Sequence, residues 1–301
     1  MDFVYLAFEN FESELAAEIQ FKTARQAVQK GRLFYFPEKH DFTWAQLRLG
    51  GCQKLEVGSI AKAAAALRSR KRNWANYSYH LHRRTQLIQE QVRAPILKPL
   101  RFGDPLPQID WGLWWLESET QMMVCESTGA AYPAAQLTFE EDRTFPPSRA
   151  YLKLWEAFTA HVKPPAPGQI VVDLGSCPGG WSWVLQTLKC QVISVDKAPL
   201  DPRIQSLSGL QFLKKDAFRL DPSSIPTPQW MLSDIICEPR RLYDLVQRWL
   251  DVHPHLSCVC TIKYKGTTDF ATTQLMAQIP GSRVVHLIHN KHEVTWIRQP
   301  L

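Results

Sequence analysis

The stretch from Ile170 to Pro199 constrains the fold more than any other part of the sequence. An apolar run leads through Asp173 into a loop with three glycines, and a helix is predicted from Trp181 to Leu188. A second apolar strand, Gln191–Val195, ends at Asp196, about twenty residues after the glycines. Strand, glycine-rich turn, helix, and a strand ending in a carboxylate are typical of a unit that binds a nucleoside by its ribose hydroxyls.

The spacing of the glycines separates this loop from dinucleotide-binding loops. The glycines stand at 175, 179 and 180 rather than in the pattern G-x-G-x-x-G, and Pro178 lies among them. Such a loop is a poor cradle for a pyrophosphate. The motif therefore favours a nucleoside ligand without phosphates, and an ordinary glycine-rich turn in another doubly wound fold is the alternative.

Strands and helices alternate after this unit, which predicts a largely parallel sheet that ends in an antiparallel hairpin. Ser148 is predicted to cap a helix that comes before the unit and carries Lys153. The downstream elements are predicted at Leu210–Leu213, Trp230–Ser233 and Ser257–Ile262 (strands), Arg240–Leu250 and Asp269–Gln278 (helices), and near Val284–His289 and Glu293–Ile297 (closing strands).

Four charged residues are expected to meet at one edge of this sheet. Asp234 and Lys263 directly follow buried strands, and the carboxyl ends of parallel strands share an edge. Lys153 and Glu293 could reach the same edge from the preceding helix and the last strand. Taken singly, these residues could be structural ion pairs, Lys153 with Asp234 and Lys263 with Glu293.

Together, these motifs resemble the FtsJ-like ribose 2'-O-methyltransferases. The loop D-L-G-x-x-P-G-G-W followed by V-D resembles the loop with which that family holds S-adenosylmethionine. Lys153, Asp234, Lys263 and Glu293 match the Lys-Asp-Lys-Glu tetrad of the family in order and context. The resemblance implies a Rossmann-like α/β methyltransferase domain that uses S-adenosylmethionine and no metal.

The resemblance also implies which residues contact the cofactor. Asp173 and Gly175 are expected near its amino-acid end, Asp196 at its ribose and Asp216 at its adenine, with an exposed loop acid as the alternative for Asp216. The full predicted set is Asp173, Gly175, Ser176, Cys177, Pro178, Gly179, Gly180, Trp181, Asp196 and Asp216.

Each member of the tetrad has an expected role. A ribose hydroxyl is a poor nucleophile and needs a base beside it while the methyl group is presented in line. Lys263 is expected to be that base, which requires a lysine that is partly neutral. Lys153 is expected to supply neighbouring positive charge and to steer the ribose, while Asp234 and Glu293 orient the two amines.

The part of the chain before Pro146 and Pro147 is predicted to be a smaller α/β region, which gives domains at 1–147 and 148–301. Its first residues resemble those of the bacterial enzymes that 2'-O-methylate a cytidine of 23S ribosomal RNA, whose N-terminal RNA-binding region contains a THUMP domain. A THUMP-like RNA-binding region is therefore expected. Its elements are predicted at 3–8, 33–36, 42–49, 111–116 and 121–126 (strands) and at 12–22 and 61–68 (helices, the second capped by Ser59).

Positive charge is concentrated between Lys62 and Arg101. The chain has a formal net charge of +6, and this segment has ten lysines and arginines against one acid, Glu90. Aromatic and histidine rings lie among the cations, so phosphates could bind the cations while bases stack on the rings. A solvated helix face with buried aromatics is the alternative. The predicted RNA contacts are Arg68, Arg70, Lys71, Arg72, Arg83 and Arg84.

Seven cysteines occur without a C-x-x-C pair, which predicts reduced thiols and no zinc site. No apolar stretch reaches the ~18 residues that a membrane span needs. We therefore expect a soluble, cytoplasmic protein with neither a membrane nor a metal partner.

These expectations combine into a two-domain enzyme that methylates a ribose 2'-hydroxyl of RNA, with a cytidine of large-subunit ribosomal RNA as the favoured target. The alternatives are an enzyme of the same fold acting on transfer RNA or a cap, and a non-catalytic RNA-binding protein. A nicotinamide-dependent oxidoreductase is disfavoured by the loop spacing.

Overall fold

The computed structural model describes residues 3–300, which divide into two compact units. The first comprises residues 3–100 with Asp104–Thr138, and the second Arg101–Gly103 with residues 139–300. The residues predicted for catalysis and cofactor binding all lie in the second unit, and those predicted for RNA contact all lie in the first.

The first unit contains two four-stranded sheets. One sheet is antiparallel in the order β2-β3-β1-β4, and the other has the order β5-β8-β7-β6, with a parallel pairing between β6 and β7. The elements in chain order are β1 (Phe3–Ala7), α1 (Glu12–Thr23), β2 (Val28–Lys30), β3 (Leu33–Phe36), β4 (Ala45–Gly50), β5 (Gln53–Glu56), α2 (Ile60–Arg70), β6 (Trp74–Asn76), α3 (His82–Gln91), β7 (Gly112–Leu116) and β8 (Gln121–Cys125).

Two local features of this unit agree with the sequence. The tryptophans 111, 114 and 115 are at most 1% exposed and pack in the core. Helix α2 begins at the predicted cap, where the Oγ of Ser59 accepts a hydrogen bond from the backbone N–H of Lys62 at 3.2 Å. Helix α3 was not predicted, because its buried residues are only Thr85 and Ile88 and its apolar pattern is correspondingly weak.

The first unit contains a disulfide between Cys52 and Cys125. The prediction that all seven cysteines are reduced thiols is therefore wrong for this pair. The two residues are 73 positions apart, and they become neighbours only because β5 pairs with β8, with Gln53 opposite Val124. The remaining cysteines are free, at 177, 190, 237, 258 and 260.

The second unit is built on a seven-stranded sheet in the order β11-β10-β9-β12-β13-β15-β14. Neighbouring strands are parallel except for β15, which is antiparallel to both β13 and β14. This confirms the predicted mostly parallel sheet with an antiparallel terminal hairpin. The elements are α4 (Tyr151–Glu156), β9 (Ile170–Leu174), α5 (Gly180–Thr187), β10 (Gln191–Asp196), α6 (Pro202–Gln205), β11 (Leu210–Lys214), β12 (Trp230–Ser233), α7 (Pro239–Val252), β13 (Ser257–Lys263), α8 (Phe270–Ala277), β14 (Ser282–Val285) and β15 (Glu293–Arg298).

The central strands β12 and β13 are mostly apolar and almost entirely buried because both faces of the sheet are covered. The four residues of β12 and the five central residues of β13 are all buried. Helix α7 is amphipathic, with Leu242, Leu245, Val246 and Trp249 buried at helical spacing. No helix within residues 3–300 combines the length and the apolar composition that crossing a membrane requires.

The start of α4 differs from the prediction. The helix begins at Tyr151 with Ala150 at its N-cap, and the Oγ of Ser148 has no hydrogen-bond partner among the described residues. Ser148 is therefore not the cap. The carbonyl oxygen of Ala150 instead accepts a hydrogen bond from the Nε1 of Trp181 at 2.9 Å, which ties the helix start to α5.

Candidate active site

The structure brings together all four charged residues of the predicted tetrad. Lys153 lies on α4, Asp234 follows β12, Lys263 ends β13 and Glu293 begins β15. Lys263 and Glu293 stand opposite each other in the pairing of β13 with β15. The tetrad therefore lies at the edge of the sheet where β12 and β13 end, as the sheet topology predicts.

Asp234 is the centre of this cluster, because its carboxylate contacts both lysines. Its Oδ1 and Oδ2 lie 2.8 and 2.9 Å from the Nζ of Lys153. Its Oδ1 also lies 3.1 Å from the Nζ of Lys263, and its backbone oxygen lies 2.6 Å from the same amine. One carboxylate thus sets the separation and orientation of both amines.

Glu293 contacts Lys153 and not Lys263. Its Oε1 lies 3.0 Å from the Nζ of Lys153, and no ion pair joins Glu293 to Lys263 in the described part of the chain. The interpretation of the four residues as two separate pairs is therefore wrong for Lys263 and Glu293. The reason is geometric: Lys153 enters from a helix and fills the space between the two carboxylates.

The two lysines differ in exposure and hydrogen bonding. The Lys153 side chain is 9% exposed and lies between two carboxylates, whereas that of Lys263 is 19% exposed and has two oxygen acceptors on a single residue. A neutral amine has two N–H groups and one lone pair. The two contacts with Asp234 would use both N–H groups of a neutral Lys263 and leave its lone pair available to accept a proton.

Glu156, one turn after Lys153 on α4, holds the segment that leads into Glu293. Its carboxylate accepts hydrogen bonds from the backbone N–H groups of Ile288 at 2.8 Å and His289 at 3.2 Å, and contacts the Nδ1 of His289 at 2.6 Å. Glu156 is 4% exposed. Helix α4 therefore anchors this segment at two points, through Glu156 and through Lys153. Sequence reasoning missed Glu156, because a glutamate on a helix has no pattern that distinguishes it from a surface residue.

The glycine-rich loop runs from the end of β9 to the start of α5 and leaves no room for side chains at two positions. Gly175 has φ +76°, and a Cβ there would lie 2.8 Å from the Cβ of Ile235. Gly179 has φ +112°, and a Cβ there would lie 2.8 Å from a methyl carbon of Ile204. Both the backbone conformation and the close packing require glycine. The two glycines thus let the loop backbone pack directly against Ile235 and Ile204.

The carboxylate of Asp196, at the end of β10, is hydrogen-bonded to the backbone of this loop. It accepts hydrogen bonds from the backbone N–H of Cys177 at 3.0 Å and of Ala198 at 2.9 Å. Each carboxylate oxygen has a second lone pair, so Asp196 can still accept a hydroxyl hydrogen. Its predicted contact with ribose remains a prediction.

Asp216, after β11, is only 18% exposed and forms an ion pair with Lys197 at 2.9 Å. The hydrogen bond from Lys197 lowers the pKa of the Asp216 carboxyl. Asp216 is thus an ionised acceptor at the same edge of the sheet as Asp196, and its adenine contact remains a prediction. No sequence motif reveals the ion pair between Asp216 and Lys197.

Asp173 occupies a buried position behind the loop. It is 1% exposed, and its Oδ2 accepts a hydrogen bond from the Oγ of Ser182 at 2.7 Å; that hydroxyl also lies 2.6 Å from the Oγ of Ser194. Burial raises the pKa of Asp173 to about 7. With almost no accessible surface, Asp173 can act on a ligand only by positioning the start of α5. Sequence reasoning did not identify Ser182 or Ser194.

We predict that Asp173 makes stability fall as the pH rises from about 4 to about 7. Its folded pKa of about 7 lies above the ordinary value of 3.8, so in this window the folded state retains a proton that the unfolded chain has released. Asp173→Asn, which keeps an acceptor for Ser182, should flatten the dependence of the unfolding midpoint on pH. The exposed Asp251→Asn is the control. Parallel pH curves for wild type and Asp173→Asn would contradict the prediction.

The other predicted loop residues lie where the motif places them but differ in accessibility. Trp181 is 3% exposed and bonded to Ala150, so its indole supports the loop from within. Ser176 is 5% exposed, and its Oγ has no partner among the described residues. Cys177 and Pro178 form a cis peptide, and Gly180 begins α5. An unpaired hydroxyl beside exposed backbone suits a polar ligand.

The six basic residues predicted to contact RNA lie on α2 and α3 and between them. Two are already engaged: the Nε of Arg70 lies 3.6 Å from Glu126, and the Nζ of Lys71 lies 2.7 Å from Asp110 and lowers the pKa of that carboxyl. Trp74, in the same segment, is fully buried and cannot stack on a base. RNA contact stays a prediction. Of the six basic residues, four take part in no ion pair within residues 3–300: Arg68, Arg72, Arg83 and Arg84.

Residues 3–300 contain no cluster of three or more histidine, cysteine, aspartate or glutamate side chains arranged to hold a metal ion. The polar groups at the sheet edge are instead two amines and two carboxylates in direct contact. Amines and carboxylates in such contact can form hydrogen bonds, stabilise charge and transfer protons.

Comparison with known proteins relates the second unit to a family. The FtsJ-like methyltransferase family matches residues 146–286, a range that includes Lys153, Asp234 and Lys263. Ribosomal RNA large subunit methyltransferase M of Xylella fastidiosa strain M12 is 38% identical over 164 residues, which cover 50% of this chain and 46% of that protein. The protein of the same name from Halorhodospira halophila is 30% identical over 157 residues, with shares of 50% and 46%.

The chain spans about half the length of the curated relatives it matches. Among solved structures, the fibrillarin pre-rRNA processing protein of Methanococcus jannaschii is 15% identical and matches with a TM-score of 0.39 over 50% of this chain and 75% of its own. A likeness that distant carries no argument about function.

Proposed function

We propose that this chain, which carries an FtsJ-like methyltransferase domain at residues 146–286, transfers a methyl group from S-adenosylmethionine to a ribose 2'-hydroxyl of RNA. The observation that carries the proposal is the tetrad itself: Asp234 contacts both Lys153 and Lys263, and Glu293 contacts Lys153. These residues lie at the edge of the sheet where such domains bind their substrates. The favoured target is large-subunit ribosomal RNA, because the relatives are named for it. A cytidine is the favoured nucleotide because of the resemblance of the first residues to the enzymes that methylate a cytidine of 23S ribosomal RNA.

The loop after β9 fits a nucleoside cofactor. Gly175 and Gly179 let the loop pack tightly against Ile235 and Ile204, which fixes its backbone. Asp196 and Asp216 can each accept further hydrogen bonds, and the buried hydroxyl of Ser176 has no partner among the described residues. When bound, S-adenosylmethionine supplies an electrophilic methyl group on a positively charged sulfur.

The tetrad would activate the nucleophile. Lys263, whose amine is held by the carboxylate and the backbone oxygen of Asp234, would accept the proton of the 2'-hydroxyl. Lys153 would position the ribose, and its contacts with Asp234 and Glu293 fix the positions of both carboxylates. Because Asp234 contacts both amines, it would fix the base relative to the residue that positions the substrate.

The test is methyl transfer from radiolabelled S-adenosylmethionine to undermodified total RNA, followed by digestion to nucleosides. We expect label in 2'-O-methylcytidine derived from large-subunit ribosomal RNA. Label in another 2'-O-methylnucleoside would keep the reaction and change the target, while label on a base would contradict the proposed chemistry. Cofactor binding without transfer to any RNA would favour a non-catalytic RNA-binding protein on this fold.

A further inference from the structure

The first unit contains a polar cleft of about 390 Å³ beside α3. One wall is a single face of that helix, since its lining residues recur three or four positions apart. The other wall is Asn76, which ends the edge strand β6, and Ser78 just beyond it. The lining consists of Asn76, Ser78, His82, Thr85, Gln86, Gln89 and Glu90.

A partly buried hydrogen-bond network sets the orientation of the Asn76 amide. The Nε1 of Trp114 is a donor only, and it lies 3.1 Å from the side chain of Gln89, so the atom of Gln89 that faces it is the oxygen. The same oxygen lies 3.0 Å from Asn76, which must therefore donate through Nδ2. Gln89 is held further by hydrogen bonds from its Nε2 to the carbonyl oxygens of Trp74 and Val92.

This network leaves one amide edge of Asn76 in a defined position. The Oδ1 of Asn76 has no hydrogen-bond partner within residues 3–300, and Nδ2 has a second N–H that Gln89 does not use. A donor and an acceptor are thus presented side by side, and the hydrogen bond to Gln89 restrains their orientation. Paired donors and acceptors of this kind match the edges of nucleobases.

A second, independent feature of the cleft is a buried hydroxyl without a partner. Thr85 lines the cleft while only 2% exposed, so it forms part of the floor. Its Oγ1 has no hydrogen-bond partner among the described residues. Buried polar groups in native proteins are normally paired, so this hydroxyl marks a place where a polar ligand atom would complete the site.

The charges of the cleft favour a base over a phosphate. Among the described residues, no lysine or arginine lines it, and the ring of His82 is hydrogen-bonded to Ser78. Glu90 contributes a carboxylate that repels phosphate; it accepts a hydrogen bond from the Gln86 amide and has further lone pairs for an amino group. Arg83 and Arg84 lie on the same helix outside the lining, where phosphates of a bound strand could contact them.

We propose that this cleft binds one unpaired nucleobase of single-stranded RNA, with the Asn76 amide at the edge of the base and Glu90 favouring bases that carry an exocyclic amino group. The proposal deepens the proposed function, on which it rests for the identity of the polymer. It predicts that adenine, cytosine and guanine bind better than uracil, which has no amino group.

Binding of short fluorescein-labelled homopolymers of adenylate, cytidylate and uridylate, measured by fluorescence anisotropy with the full chain over a range of salt, tests the proposal. Asn76→Ala should weaken binding of the adenylate and cytidylate strands at least about fivefold, the lower limit for losing a paired base contact. The salt dependence should not change, because no phosphate contact is lost. Gln53→Ala, an exposed amide on β5 at the opposite edge of the same sheet, is the control.

Glu90→Gln is the second variant, since Glu90 is exposed and its replacement should not disturb folding. It should bring the affinity for uridylate strands close to that for cytidylate strands. Competition by the mononucleotides distinguishes a site for free nucleotides from one for a base within a strand. Competition at concentrations similar to those of the strands would overturn the proposal, as would unchanged binding by Asn76→Ala.

The two proposals can fail separately. If the wild type methylates ribose and Asn76→Ala binds and methylates RNA normally, the cleft proposal fails and the proposed function stands. If no RNA is methylated but Asn76→Ala and Glu90→Gln alter binding as described, the cleft proposal stands and the methyl transfer does not.

Discussion

Lys263→Ala is expected to retain cofactor binding and to lose methyl transfer by more than about a hundredfold, the usual scale for removing a general base. The amine of Lys263 lies 2.6 Å from the backbone oxygen of Asp234 and 3.1 Å from its carboxylate. Alanine removes the only group we assign to take the hydroxyl proton, and it leaves the glycine-rich loop untouched. Single-turnover methyl transfer and calorimetric binding of S-adenosylhomocysteine measure the two properties separately.

A second substitution separates proton transfer from positive charge. Lys263→Arg keeps the charge, but a guanidinium does not deprotonate in proteins, so it should be nearly as inactive as Lys263→Ala. Lys265→Ala, with a side chain 69% exposed two residues further on, is the matched control and should be close to wild type. Near-normal turnover by Lys263→Ala would rule out the assignment, and substantial activity in Lys263→Arg would replace a base with a purely electrostatic role.

Lys153→Met is expected to impair both folding and catalysis. Its amine lies within 3.0 Å of the carboxylates of Asp234 and Glu293, and its side chain is 9% exposed. Removing it leaves buried negative charge without its partner, which typically costs about 3–5 kcal/mol. For a unit of this size, we expect the unfolding midpoint to fall by roughly 10 °C. Methyl transfer should also be lost, because Asp234 would no longer hold both amines.

The exposed Lys163→Met is the control for Lys153→Met and should leave the midpoint unchanged. Adding Glu293→Gln to Lys153→Met removes one of the two stranded charges and should recover part of the lost stability without recovering activity. Differential scanning calorimetry measures this cycle. A double variant no more stable than Lys153→Met alone would show that the contact between Lys153 and Glu293 is not what stabilises this site.

Asp234 explains why the two lysines should not behave as independent sites. Its carboxylate is shared between them, so a change at either amine alters the hydrogen bonding of the other. Side chains within one such network typically show interaction energies of about 0.5–3 kcal/mol. The effects of Lys153 and Lys263 substitutions are therefore expected to be non-additive.

Local sequence was sufficient for the framework of the second unit. Apolar runs such as those of β12 and β13 can be buried only in a sheet covered on both faces, and their alternation with helical patterns predicts parallel order. The positions of Asp234 and Lys263 follow from this order, because each residue comes directly after a central strand. The glycines at 175 and 179 could likewise be recognised from the loop motif in the sequence. The structure gives both a positive φ, a conformation that glycine adopts readily.

Only the tertiary structure decided which partners these residues take. Lys153 and Glu293 are 140 positions apart, and Cys52 and Cys125 are 73 apart, so their pairing depends on how helices and strands pack. The burial that raises the pKa of Asp173, and the cleft beside α3, likewise arise from several elements that meet in space. Sequence periodicity reports which face of an element is apolar, but hydrogen bonds and ion pairs depend on distances of a few ångströms between distant segments, which only the packed chain defines.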